Sequence, residues 1–117
     1  MVSVDRNPAV FLHHILDSAG YIAEYLHGCT KEKFKKERMV RDAVIRELMV
    51  IGEACGNLNK EFRNQFSGVA WKKIRGMRNK LTHEYWDINA NVVWEAAKMK
   101  VPELVVLLKN WLEENHE

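Results

Sequence analysis

The residues best suited to chemistry lie between Arg75 and Asn89, in the stretch RGMRNKLTHEYWDIN. The guanidinium of Arg78 offers a fixed fork of donors to a phosphate, and His83 carries an imidazole, the group that most often serves as a general acid or base. Such a pair can cleave RNA without a metal ion, because the ribose 2′-hydroxyl itself supplies the nucleophile. His83 would deprotonate that hydroxyl or protonate the leaving oxygen, and Arg78 would stabilise charge on the phosphorane. The products would be a 2′,3′-cyclic phosphate and a 5′-hydroxyl.

The spacing of these residues predicts how they are arranged on a helix. Asn79 and His83 share one face, and Gly76 falls within about 20° of His83 on an ideal helix. Arg78 lies about 140° from His83, so only the reach of the long Arg78 side chain could bring the two together within one helix. We therefore expect His83 to lie outside the core, on a face where the missing side chain of Gly76 leaves room for another backbone or a phosphate.

Four apolar stripes at helical spacing predict the helices that position this segment. The first follows Pro8, the second begins at Val40, and the third starts near Trp71 and ends near Asp87. The stripes comprise Phe11, Ile15, Ala19, Ile22 and Leu26; Val40, Val44, Leu48, Ile51, Cys55 and Leu58; Ile74, Met77, Leu81 and Tyr85; and Val93, Ala97, Val101, Leu104, Leu108 and Trp111.

Three local signals refine these elements. Thr30 is placed to cap a short helical turn, and Asn89 or Asn91 is placed to cap the last helix. Pro102 lies inside the last apolar stripe. Because proline removes a backbone hydrogen bond and clashes with the preceding turn, we expect a kink or a break near Met99 to Val101.

The second helix carries a further stripe, formed by Ile45, Met49, Gly52 and Gly56. This stripe is displaced by roughly 110° from the main one. A helix with two such faces is expected at the centre of a bundle, which we favour over the alternative that its glycines admit a second copy of the protein. The two arrangements are compatible.

Composition supports one compact domain. The 117 residues are 47% apolar, enough to bury a single core without disulfide or metal staples. No segment alternates with period two, and the connections between the predicted helices are short. We expect one all-α domain over residues 1–117, folded as an up-and-down bundle of four to five helices.

Charge and cysteine content exclude several classes of protein. The net charge of +2 is far from that of proteins that coat nucleic acid nonspecifically, so any RNA contact must be local. Cys29 and Cys55 have no ligand partner at metal-binding spacing, and no bound metal or other cofactor is expected. Two cysteines suggest a reduced cytoplasm, and no apolar run approaches the roughly 20 residues that span a bilayer.

The motif segment resembles that of the HepT-like branch of the HEPN ribonuclease toxins. Their signature is Arg-x-x-x-x-His with Asn after the Arg and Tyr two residues after the His, which corresponds here to Arg78, Asn79, His83 and Tyr85. The resemblance extends over most of the chain. It includes RDAVIRELMVIGEA at 41–54, the turn at 71–74 that leads into GMRN, and VVWEAAKMKVPEL at 92–104.

This resemblance implies a HEPN-like homodimer whose cleft joins two copies of the motif, with endoribonuclease activity that inhibits growth. Arg78 and His83 would be catalytic, and Asn79 would contact the RNA, either a transfer RNA or a message. The resemblance also implies a partner, a minimal nucleotidyltransferase antitoxin that transfers AMP onto Tyr85. If Arg78 of one copy acts beside His83 of the other, their angular separation on one helix no longer matters.

The main alternative is a non-catalytic helical module that docks a nucleotidyltransferase or its substrate. Taken alone, the spacing of Arg78 and His83 fits a solvated helix face with a surface salt bridge better than a catalytic pair, and the family resemblance reverses that preference. Tyr21 and Tyr25 fit ordinary bundle packing better than stacking on bases, and the basic run Lys31–Arg38 fits a solvated surface. The intact pair of Arg78 and His83 favours the enzyme.

Overall fold

The computed structural model describes residues 7–84 and 87–115, and within these ranges every regular element is helical. The elements are α1 (Pro8–Leu26), α2 (Lys31–Lys36), α3 (Arg38–Gly56), α4 (Lys60–Asn64), α5 (Trp71–His83), α6 (Ala90–Glu95), a π-helical segment (Ala96–Lys100) and α7 (Val101–Glu114). The predicted all-α class is confirmed. No helix in the described ranges is long and apolar enough to cross a membrane.

Side-chain caps start several of these helices. Thr30 accepts a hydrogen bond from the backbone of α2, and Asn89 accepts one from the backbone of α6, as the sequence predicts. Asn7 and Asn59 cap α1 and α4 in the same way. The turn after α1 passes through Gly28, whose φ of +72° favours glycine.

α3 is the central helix of the bundle. It packs against α1 on one side and α5 on another, and its apolar residues belong to the core. Gly52 is buried because the stem of Arg78 from α5 lies directly on it. The expected central position of this helix is therefore confirmed, and at Gly52 the space is taken by α5 of the same chain.

The last helical region accommodates its proline without a break. The π-helical segment joins α6 to α7, and the Val101 N–H bonds to the Ala96 carbonyl, five residues back. Pro102 then lies in the first turn of α7, where a missing N–H is tolerated. The position of the helix irregularity was therefore predicted correctly from the sequence. The wider π-helical turn accommodates it without breaking the helix.

Two expectations need correction, and one helix was not predicted. α5 ends at His83 rather than near Asp87, and the unpredicted helix α4 places Phe62 in the core beside the ring of Trp111. A five-residue helix with one buried side chain is too short to produce a periodic pattern. Tyr21 and Tyr25 are 48% and 37% exposed, so they do not pack inside the bundle.

Candidate active site

The motif helix α5 runs antiparallel to α3. At its start, the Trp71 indole N–H donates to the Arg63 carbonyl at 3.0 Å, which ties α5 to α4. Trp71 also lies with Cys55 and Gly56 around a small cleft, whereas Arg78, two turns later, lies on Gly52. The apolar face of α5 packs toward the core, where Leu81 is buried and Ile74 and Met77 are half-buried.

Both the aliphatic part and the guanidinium of the Arg78 side chain contact α3. A Cβ on Gly52 would lie 2.5 Å from the Arg78 Cβ, so only glycine allows this approach. The Arg78 Nη2 donates to the Glu53 Oε1 at 2.5 Å, and its Nη1 donates to the Asn79 Oδ1 at 3.0 Å. The Arg78 side chain keeps 34% of its surface exposed, so the guanidinium is oriented and still accessible.

His83 is the last residue of α5 and is exposed to solvent. Its side chain makes no hydrogen bond or ion pair with any residue of 7–84 or 87–115. Gly76, on the same outward face, has open space where a Cβ would be. The expected exposure of His83 and the open space at Gly76 are both confirmed.

The structure thus brings together only part of the predicted set. Arg78 donates hydrogen bonds to Asn79 and to Glu53, whereas the exposed His83 side chain is hydrogen-bonded to none of these three residues. Tyr85 lies outside the described residues. Glu53 was not identified from the sequence, because its local pattern is that of an ordinary exposed helical glutamate. The one signal available was its position directly after Gly52, within the 41–54 segment that resembles the family.

The surface of α5 is strongly basic although the whole chain has a net charge of +2. The helix holds five Lys and Arg residues and no Asp or Glu. They are Lys72, Lys73, Arg75, Arg78 and Lys80. A polyanion would therefore meet a local concentration of positive charge along the same helix that presents His83.

Two further observations concern metal ligands and thiols. No three His, Cys, Asp or Glu side chains within 7–84 and 87–115 are grouped to hold a metal ion. Cys55 is buried, and this burial raises the pKa of its thiol to about 12, slightly offset by Arg63. A thiol that stays protonated in this way is a poor nucleophile.

A family model described as "Ribonuclease HepT-like" matches residues 15–110 of the chain. This protein belongs to the HepT-like HEPN ribonuclease family. The matched region runs from α1 into α7, so it includes the whole of α5 and the Glu53 that contacts Arg78. The HepT-like match therefore covers the complete candidate site in the described part of the chain.

Curated relatives agree with the HepT-like assignment. "Putative RNase TTE0752" of Caldanaerobacter subterraneus subsp. tengcongensis is 41% identical over 92% of this chain and 96% of its own length. "Putative RNase MJ1380" of Methanocaldococcus jannaschii is 38% identical over 85% of this chain and 91% of its own. "Probable ribonuclease HepT" of Thermococcus cleftensis is 31% identical over 85% of this chain and 90% of its own length. No solved structure gives a significant match to this chain.

Proposed function

We propose that this protein is a metal-independent endoribonuclease in which Arg78, Asn79 and His83 act at the scissile phosphate. The observation that carries the proposal is that these three residues lie on one basic, accessible helix of a HepT-like family member. The ribonuclease names of the relatives support the same reaction class. An exposed imidazole and an accessible guanidinium are the groups that an internal transesterification needs.

In the proposed reaction, the RNA 2′-oxygen attacks the adjacent phosphorus and the bond from phosphorus to the 5′-oxygen breaks. A neutral His83 takes the proton of the 2′-hydroxyl, or a protonated His83 gives a proton to the departing 5′-oxygen. Arg78 donates to the non-bridging oxygens, where negative charge grows in the transition state. The accessible face of its guanidinium is available for this because Glu53 and Asn79 hold only its Nη2 and Nη1 atoms.

We further propose that the working site is formed by a homodimer. Within one chain Arg78 is held against α3, whereas the exposed His83 makes no hydrogen bond or ion pair with it. A second copy, related by twofold symmetry and facing the open surface around Gly76, would place its His83 beside this Arg78. Two copies of His83 would also provide one base and one acid.

The biological role we propose is that of a toxin controlled by a nucleotidyltransferase antitoxin. The antitoxin would transfer AMP onto Tyr85, two residues after His83. The added phosphate carries negative charge and the adenosine adds bulk, so both would oppose the entry of RNA beside the cleft. Control of this kind requires no change in the helical bundle.

The direct test is expression of the chain without its partner, compared with His83→Ala. We expect growth arrest and RNA cleavage from the unsubstituted protein and neither from His83→Ala. His27→Ala is the matched control, because His27 is also exposed and lies just beyond the end of α1. Equal behaviour of His83→Ala and the unsubstituted protein would favour the non-catalytic docking module instead.

The chemistry is tested separately on purified protein. Cleavage should persist in excess EDTA, since the proposed mechanism uses only imidazole and guanidinium groups. An RNA with a 2′-methoxy group at the cut site, or a DNA strand of the same sequence, should resist because neither offers the nucleophile. Complete loss of cleavage with EDTA, or cleavage of either resistant strand, would rule out this mechanism.

A further inference from the structure

A cavity of about 230 Å³ lies where α3 extends beyond the end of α5. Since α5 runs antiparallel to α3 from Gly56 toward Gly52, the first two turns of α3 project past His83. Ile45 forms part of the cavity wall and lies seven residues before Gly52, about 10 Å along the helix axis. The cavity therefore continues the surface that carries the proposed active site.

The walls of this cavity combine apolar and charged groups. Ile45 and Val93 are buried, and Ile88 is half-buried. The full lining is Arg38, Arg41, Asp42, Ile45, Ile88, Ala90 and Val93. Apolar walls with a few charged groups are typical of sites for small molecules.

The two arginines at the cavity have different roles. Arg41 donates to the carbonyls of Phe34 and Lys35, so it fixes the end of α2 against α3. Arg38 pairs with Asp42 at 3.5 Å, and its side chain is 77% exposed. Exposed pairs of this kind contribute little stability, so the Arg38 guanidinium can leave Asp42 at small cost to meet a ligand.

From these features we propose that the cavity receives one unpaired base of the RNA strand cut at the Arg78 and His83 site; this subsite rests on the proposed ribonuclease function. The base packs between Ile45 and Ile88, and Arg38 stacks on it or binds its phosphate. The volume lies below the roughly 300–1,000 Å³ that encloses a drug-sized ligand, which fits one base rather than a whole cofactor. RNA readers commonly stack splayed bases on aromatic rings or on an arginine guanidinium, and Arg38 offers the guanidinium here.

Local charge favours a nucleic acid over a neutral ligand. Residues 31–41 contain six Lys and Arg residues against two Glu. Arg38 and Arg41 of this segment line the cavity, and the basic helix α5 packs against the same helix α3. A single strand that passes from one to the other remains in positive surroundings.

The test compares two cavity variants with a matched control. Arg38→Ala removes the movable cation, and Ala90→Leu fills the cavity from the first residue of α6. Lys33→Ala is the control, because Lys33 forms a similar exposed i,i+4 pair with Glu37, belongs to the same basic segment and does not line the cavity. Thermal melting of each variant checks that the bundle is intact.

We expect both cavity variants to weaken binding of a short 2′-methoxy RNA about tenfold, the loss produced by removing one stacked base. Both should also flatten the base preference at one position beside the cut in a random-sequence RNA. Lys33→Ala should weaken binding less and leave that preference unchanged. An unchanged preference and affinity in both cavity variants would overturn the proposal.

Binding is measured independently of cleavage, so that failure of the ribonuclease proposal is distinguishable. The methyl NMR signals of Ile45 and Ile88 should shift when the 2′-methoxy RNA is added, even if no cleavage is detected. The four nucleoside 5′-monophosphates, tested singly, should shift them only at much higher concentration. Stronger binding of a monophosphate than of the RNA would assign the cavity to a free nucleotide and overturn the RNA subsite.

Discussion

Gly52 and Arg78 are in such close contact that a Cβ on Gly52 would lie 2.5 Å from the Arg78 Cβ. The stem of the candidate catalytic arginine therefore rests on the backbone of α3. The next residue along α3, Glu53, accepts a hydrogen bond from the guanidinium of the same side chain. The position of Arg78 is thus set by two adjacent residues of one helix.

Gly52→Ala should destabilise the protein by about 1–3 kcal/mol, because the new methyl group pushes Arg78 and α5 away from α3. Gly20→Ala is the matched control. Gly20 lies inside α1 with nothing near the place of a Cβ, so alanine should stabilise by up to about 1 kcal/mol. Urea denaturation measures the change in the free energy of unfolding for both variants. Stabilisation by both substitutions would contradict the close approach.

Glu53→Ala should lower kcat/KM for RNA cleavage by about tenfold, since Arg78 loses the partner that orients it. Glu53→Gln keeps an acceptor and should lose only part of the activity. Stability should change by less than about 1 kcal/mol because the Glu53 side chain is 60% exposed. Glu61→Ala in α4 is the control. Faster cleavage and tighter RNA binding by Glu53→Ala would show that Glu53 competes with the phosphate.

Alkaline pH should reveal the burial of Cys55. Its folded-state pKa of about 12 exceeds the ordinary value of 9.0, so the unfolded state ionises first. The stabilisation is complete below pH 9 and is lost as the pH rises toward 12, by up to about 1.4 kcal/mol per pH unit. Cys55→Ala should remove this contribution to the slope, whereas Cys29→Ala should keep it. Identical slopes in all three proteins would argue against the burial.

Mixing inactive Arg78→Ala protein with inactive His83→Ala protein should restore part of the RNA cleavage. The reason is that a mixed dimer contains one site with an intact Arg78 from one copy and an intact His83 from the other. Each protein alone, at the same total concentration, is the control. If mixed dimers are demonstrated by native mass spectrometry and cleavage stays absent, both groups act from the same chain.

Co-expression with the nucleotidyltransferase should yield protein whose mass is increased by one or more AMP units on Tyr85. Tyr85→Phe should remain toxic despite the partner, because phenylalanine has no hydroxyl to accept the AMP. Tyr21→Phe is a suitable control, since Tyr21 lies elsewhere in the chain and its phenol ring is exposed. Fully neutralised protein with an unmodified Tyr85 would indicate that inhibition occurs by docking alone.

The sequence by itself was sufficient for the helical class, the central place of α3 and the exposure of His83. These properties depend on the period of apolar residues along one helix, and that period directly reports which face is buried. The caps Thr30 and Asn89 were also predictable, because a cap acts on backbone groups only two or three residues away.

Only the tertiary structure decided how Arg78 is held and where the cavity at Ile45 lies. Glu53 is 25 residues from Arg78, and their contact exists because Gly52 lets α5 approach α3. The exposure of Tyr21 and Tyr25 likewise depends on which side of α1 its neighbours cover. Contacts between distant segments are set by the packing of whole helices, and local periodicity contains no information about the partner.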